Sequence, residues 1–180
     1  VAAGKIDEHT HNTGSTSFSG ADWVAMNFTA SESYTITSVK LNLFKTGTPG
    51  TLTVSIRNTT ADVPSGGDLA SGTFNANDLL ASPGQYEEIT LGAGYSLVSG
   101  TKYAIVCRCV AASVYWGRGL TYPGGGRCTS ANAGVNWGAE SVVKMNFETW
   151  GTPSSSIPSD QVVVRRLVAA GNNKFYYEDL

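Results

Sequence analysis

Between Tyr34 and Arg57 apolar and polar positions alternate with a period of two. Val39, Leu41 and Leu43 interleave with Ser38, Lys40 and Asn42, and Leu52, Val54 and Ile56 with Thr51, Thr53, Ser55 and Arg57. Successive side chains of an extended chain point to opposite faces, so each run predicts a strand with one apolar and one wet face. Gly47–Gly50, which includes Pro49, has the residues of a turn. The two runs therefore predict a β-hairpin, with Leu41 on its buried face.

The same period recurs along the chain. Asp22 to Thr29 predicts a strand with Val24, Met26 and Phe28 on one side, and further strands follow at Leu69 to Phe74, Tyr86 to Leu91 and Val114 to Arg118. Lys102 to Val110 is the most apolar strand. Tyr103, Ile105, Cys107 and Cys109 form one face, and Ala104, Val106 and Val110 make the other nearly as apolar, which predicts a central position. Val142 to Trp150 alternates again, with Val143, Met145 and Phe147 inward. Loops are expected at Asn58 to Gly67, at Gly92 to Gly100 and over most of Leu120 to Gly138, with one helical turn at Asn77–Leu80. About eight short strands and no long helix predict an all-β, two-sheet antiparallel β-sandwich, with a jelly roll as the expected topology.

The ends differ from this body. Residues 1–21 are polar and aperiodic, and predict either a flexible arm or an edge strand that docks on something. The sandwich is expected over residues 22–151, and residues 152–160 form a Pro/Ser linker. Residues 161–180 carry a surplus β-hairpin extension, with a tight turn at Gly171-Asn172-Asn173. Val162, Val163, Val164, Leu167, Phe175, Tyr176 and Tyr177 are too apolar for free solvent, so this hairpin is the expected subunit interface. The chain begins at Val1, as a cleaved precursor or a slice of a longer chain would.

Only 14% of the 180 residues are charged, against roughly 25% in ordinary soluble domains, while Gly numbers 21 and Ser and Thr abound. Such a composition fits extracellular, Ser/Thr-rich β proteins. The net charge of −2 and the lack of a basic run argue against a nucleic-acid partner. No apolar run approaches the roughly 18 residues of a membrane-spanning helix. The three cysteines, Cys107, Cys109 and Cys128, leave at least one thiol unpaired within the chain. Cys107 and Cys109 lie on one strand face, about 7 Å apart along an extended chain, too far for an easy disulfide. Small core hydrophobes are the leading reading, and a bridge from Cys128 to one of them is the alternative.

The segments TSVKLNLFKTGTPGTLTVSIR, DLASGT, YEEITL, SGTKYAIVCR and MNFETWG resemble a β-sandwich module of virion and cell-surface proteins, of the choice-of-anchor and phage structural type. The similarity covers Asp22 to Gly151. It implies a non-catalytic module of a larger extracellular or virion-surface assembly, sometimes near sugars. Cys107 and Cys109 stand where such modules usually carry aliphatic residues.

Candidate chemistry is sparse. Glu87 and Glu88 are adjacent on a strand and face opposite sides, so they cannot act as a glycosidase pair. No GxSxG elbow is present, and Gly124-Gly125-Gly126 lacks the Lys-Ser/Thr of a phosphate loop. His9 and His11 could share a strand face and bind a metal, but a solvated pair is the plainer expectation. A structural calcium would draw on Asp22, Asp62, Asp68, Asp78 and Glu148, yet no DxDxD-like loop gathers the about six to eight oxygens required, and no cofactor is expected. Asn27 and Asn58 fit the glycosylation pattern, Asn58 better because it lies in an expected loop. Tyr115, Trp116, Tyr122 and Trp137 fall close together in sequence, with Arg118 and Arg127 nearby. They are a candidate platform for stacking on sugar rings, with core packing as the competing reading. The leading expectation is a non-catalytic structural subunit of a virion, filament or surface layer, joined to other copies of itself through terminal strands. The alternative is a carbohydrate-binding module that uses the aromatic platform on polysaccharide.

Overall fold

The computed structural model describes residues 2–154, 165–171 and 174–179. One antiparallel sheet holds seven strands: β1 (Gly4–His9), β2 (Gly14–Phe18), β4 (Tyr34–Lys45), β7 (Gln85–Leu97), β9 (Val114–Gly119), β12 (Lys144–Met145) and β13 (Phe147–Pro153). The other holds six: β3 (Trp23–Thr29), β5 (Thr51–Thr60), β6 (Val63–Asn75), β8 (Lys102–Cys109), β10 (Arg127–Ser130) and β11 (Gly138–Glu140). The expected all-β, two-sheet antiparallel sandwich is the fold. β14 (Arg165–Gly171) and β15 (Lys174–Asp179) form a two-stranded sheet of their own.

The expected hairpin at Tyr34–Arg57 is corrected. β4 pairs with β7, β9 and β13, whereas β5 pairs with β6 and β8 in the opposite sheet. Gly47 and Gly50, at φ +66° and +76°, turn the chain through a corner between layers rather than back along one sheet. The alternation itself is correct. Ile36, Val39, Leu41 and Leu43 of β4 and Leu52, Val54 and Ile56 of β5 are all fully buried in one core. Their apolar faces meet across the sandwich, where two amphipathic strands bury more surface than side by side.

The same crossing repeats along the chain. Neighbours run β1, β13, β4, β7 in one sheet and β3, β8, β5, β6 in the other. The chain passes between layers from β3 to β4 to β5, keeps to one layer for the β5–β6 hairpin, then passes again from β6 to β7 to β8. β8 is central, as its two apolar faces require, lying between β3 and β5. Its inner face packs Tyr103, Ile105, Cys107 and Cys109 into the main core. On its outer face Ala104 and Val106 join Ala25 and Cys128 in a small cluster roofed by Trp23, Val63 and Trp137, whereas Val110, expected on that face, lies past the end of β8 and is 76% exposed. At Gly72, on edge strand β6, an added Cβ would sit 1.8 Å from the Thr90 carbonyl oxygen of β7, so this corner closes only on glycine.

Several expected loops are strand. At Asn58–Gly67, β5 and β6 continue to the pair Thr60–Val63, joined by Ala61 and Asp62 at φ +49° and +62°. Two successive left-handed residues make the two-residue hairpin turn, and Pro64 is tolerated because β6 is an edge strand. β7 runs on through Gly92–Leu97 to pair with the start of β4. Within Leu120–Gly138, β10 pairs with β3 through Arg127–Ser130. The strand expected at Val142–Trp150 is divided at Asn146: β12 pairs with β9, and β13 with β4. Between them, the Asn146 amide donates to the Gly117 carbonyl at 2.8 Å.

Of the two expectations for residues 1–21, the edge strand is the one adopted. β1 pairs with β13, and β2 with β9, so this segment completes its own sheet. Asp7 anchors β1: its carboxylate accepts from Tyr34 Oη at 3.1 Å and from the Ser31 amide at 3.3 Å. Its own amide donates to Thr149 Oγ1 at 3.0 Å.

Candidate functional site

The four aromatic residues of the expected sugar platform do not share a surface. Tyr115 and Trp116 are consecutive on β9 and so point to opposite faces. Trp116 is fully buried in the core, with Nε1 donating to the Asn146 carbonyl at 2.6 Å. Tyr115 stacks on Phe44, ring centroids 4.6 Å apart. Tyr122 packs edge-on against Phe147 at 5.4 Å. Trp137 lies on the outer face of the other sheet, in edge contact with Trp23 at 6.5 Å. The seven expected interface residues fall where side chains lie outside the described part. Val162, Val163 and Val164 lie wholly outside it, as does the turn pair Asn172-Asn173. The backbone sets Leu167 opposite Tyr177 and places Tyr176 and Phe175 opposite Ala169 and Ala170.

Among the described residues no group of three or more His, Cys, Asp or Glu is placed to hold an ion. Asp62 pairs instead with Lys102 at 2.5 Å, and Asp68 with both Arg57 and Arg108 at 2.7 Å. All three cysteines are free and buried. Cys107 and Cys109 face the main core while Cys128 faces the outer cluster, so the sheet itself separates the partners of the alternative disulfide. Burial pushes all three thiols up, that of Cys128 to about 11, which leaves none as a nucleophilic thiolate at neutral pH. Asn27 is buried, so Asn58, exposed on β5, is the accessible one of the two glycosylation patterns.

The expected solvation of His9 is corrected: only 5% of it is exposed. Its ring lies 5.7 Å from that of Tyr122, Nδ1–H donates to the Met145 carbonyl at 3.1 Å, and buried Nε2 has no partner among the described residues. Burial lowers its pKa, and the nearby positive charge of Lys144 and His11 lowers it further against the raising effect of the Met145 bond. A lowered folded-state pKa means that the unfolded chain binds the proton more readily. The stability His9 contributes is therefore complete above its unfolded pKa of about 6.5 and is lost as pH falls through that value toward the folded one. The urea midpoint is expected to drop between neutral pH and mildly acidic pH, and less so in His9→Gln. Parallel pH profiles for the two proteins would show that the ring does not titrate against folding.

A cavity of about 380 Å³ opens where β12 comes beside β3 and the glycine loop that leads into β10. Its floor is built by close packing. The Asn27 amide donates to the Gly126 carbonyl at 2.9 Å, and an added Cβ on Gly125 would lie 1.9 Å from the Asn27 carbonyl oxygen. Gly125 is thus the condition for this loop to lie flat on β3. Three cations line the space. Lys102 pairs with Asp62, and Arg127 with Glu140. Among the described residues Lys144, 7% exposed, has only the Gly125 carbonyl as acceptor, and no carboxylate pairs with it. Burial lowers the pKa of Lys144, and the charge of Lys102 lowers it further. In the wall stands Asn27, 2% exposed, whose Nδ2 donates to the Asp62 carbonyl and to Cys128 Sγ at 3.5 Å, while buried Oδ1 has no partner among the described residues.

Of these groups the sequence singled out Arg127, the glycines, Cys128, Asp62 as a candidate calcium ligand and Asn27 as a glycosylation pattern, but not as parts of one site, and it singled out neither Lys102 nor Lys144. Lys102, Asp62 and Lys144 come from three separate strands or turns, so no spacing marks them. A local sign exists for Lys144 alone, a cation between the inward-facing Val143 and Met145. No protein-family model matches this chain and no curated protein is similar to it, so what identifies it is its fold, a two-sheet antiparallel β-sandwich.

Proposed function

We propose that this protein is a non-catalytic structural module of an extracellular assembly, such as a virion, filament or surface layer, and that copies join through the C-terminal hairpin. The observation that carries the proposal is the pairing of β14 and β15 in a two-stranded sheet distinct from both sandwich sheets. A two-stranded sheet is marginal by itself in water, so it gains its stability by docking. Each apolar side chain covered by docking contributes roughly 1.5–3 kcal/mol. β13 ends at Pro153 and β14 begins at Arg165, and the residues between them span at most about 3.3–3.6 Å each, a reach that includes a neighbouring copy. Strand addition at an open sheet edge supplies backbone hydrogen bonds for affinity and alternate side chains for register. Whether such contacts close a ring or run on as a filament depends on symmetry. The crossing order of β3 to β8 supports the jelly-roll reading of the sandwich, an architecture common to capsid and lectin domains. Among the described residues, buried thiols of raised pKa and a buried His9 bonded to the Met145 carbonyl support the non-catalytic part.

Deleting residues 161–180 tests the proposal. The native particle mass, from light scattering or sedimentation, is expected to be that of a multimer for the full chain and of a monomer for the truncated one, with the sandwich still folded by circular dichroism. A truncated chain that still assembles would move the interface elsewhere. A full chain that is monomeric at every concentration would remove the assembly reading.

A further inference from the structure

We propose that the cavity between β3, β12 and the Gly124–Gly126 loop binds a polyhydroxylated monoanion, an acidic sugar of the uronic acid class. The inference stands apart from the assembly reading, because every group it uses lies within the sandwich. The cavity of about 380 Å³ falls at the small end of the range of roughly 300–1,000 Å³ typical of small-ligand sites. Three cations face two carboxylates there, and the two ion pairs, Lys102–Asp62 and Arg127–Glu140, account for both carboxylates. One positive charge remains, on Lys144, held at 7% exposure against a single backbone carbonyl. A partly buried ammonium in that position stabilises a ligand anion more than a solvated one would.

The remaining polarity of the wall selects what surrounds that anion. Asn27 Oδ1 is buried behind the wall and has no donor among the described residues, so the acceptors that face the space are the carboxylates. Those of Asp62 and Glu140 repel a compact, highly charged ion such as phosphate. A ligand that suits the wall has one negative charge for Lys144 and several hydroxyl donors for Asp62 and Glu140. A sugar acid carries both on one ring, while neutral sugars lack the first and simple anions the second.

Isothermal titration calorimetry on the full chain tests this, with D-glucuronate and D-galacturonate as probes and D-glucose, acetate and inorganic phosphate as controls. At least one uronate is expected to bind saturably, with affinity falling as salt rises, and to bind about tenfold or more tightly than any control. Lys144→Met should weaken uronate binding about tenfold or more, the effect of losing one charge-assisted contact, while the protein stays folded because a desolvated charge has been removed. Lys102→Met, at the more exposed rim, provides the second variant and should weaken binding less. Neither uronate binding, glucose binding equally well, phosphate binding as tightly as the uronates, or a folded Lys144→Met protein with unchanged affinity each overturns the proposal. Should Lys144→Met fail to fold, undiminished uronate binding by Lys102→Met overturns it instead. A particle mass altered by truncation bears only on the hairpin, so the two proposals fail separately.

Discussion

Leu41→Asp is expected to abolish the folded state. Leu41 lies in the middle of β4, fully buried, between β13 and β7. Removing a buried leucine side chain costs about 2–5 kcal/mol, and a carboxylate placed there has neither water nor a cation to stabilise it. Whole domains are stable by only about 5–15 kcal/mol, so the sum of the two effects consumes most or all of that margin. The variant should show no cooperative thermal transition, and its far-ultraviolet dichroism should lack the sheet signal of the wild type. The neighbouring Lys40 provides the contrast. It points outward, with its ammonium 4.2 Å from the centre of the Trp150 ring and 3.6 Å from Glu88. Lys40→Ala should therefore change stability by about 1 kcal/mol or less. Equal behaviour of the two variants would mean that the inner and outer faces of β4 are exchanged.

Trp116→Ala should destabilise the protein by about 3–5 kcal/mol, the usual cost of emptying a buried aromatic site. For a chain of this size that corresponds to a melting temperature lower by roughly 6–20 °C. Two losses combine: the volume of a fully buried indole, and the bond from Nε1 to the Asn146 carbonyl at 2.6 Å, which helps hold the break between β12 and β13. Trp137→Ala, which truncates a half-exposed ring, should cost less. If Trp116 instead served a ligand, its removal would reduce retention on polysaccharide and leave the melting temperature unchanged. That combination would contradict the packing described above.

The sequence by itself determined which side of each strand is buried. Period-two alternation sets the faces of β3, β4, β5 and β13, because an extended chain has no other way to sort its side chains. The doubly apolar run Lys102–Cys109 likewise determined that β8 is central, since only a strand covered on both faces can hide both sets. Alternation says nothing, however, about which strand lies alongside. β4 and β5 are consecutive and both amphipathic, and the same pattern is satisfied by a flat hairpin or by two layers facing each other; burial of both apolar faces decided for the layers. Local turn chemistry misled for a related reason. Asn58–Gly67 has the composition of a loop, yet β6 lies at a sheet edge, where Pro and Gly cost little.

The polar residues were the least legible. His9 sits in a run that is polar by composition, and only the pairing of β1 with β13 and the approach of Tyr122 bury it. Tyr115, Trp116, Tyr122 and Trp137 are near one another in sequence but are dispersed by strand alternation and by the passage from one sheet to the other. Conversely, Asn27, Asp62, Lys102 and Lys144 are far apart in the chain and meet at one cavity. A strand records in its sequence the polarity of its own two faces. Which side chains of different strands converge depends on register and on the crossing between layers, and these are set by packing of the whole core.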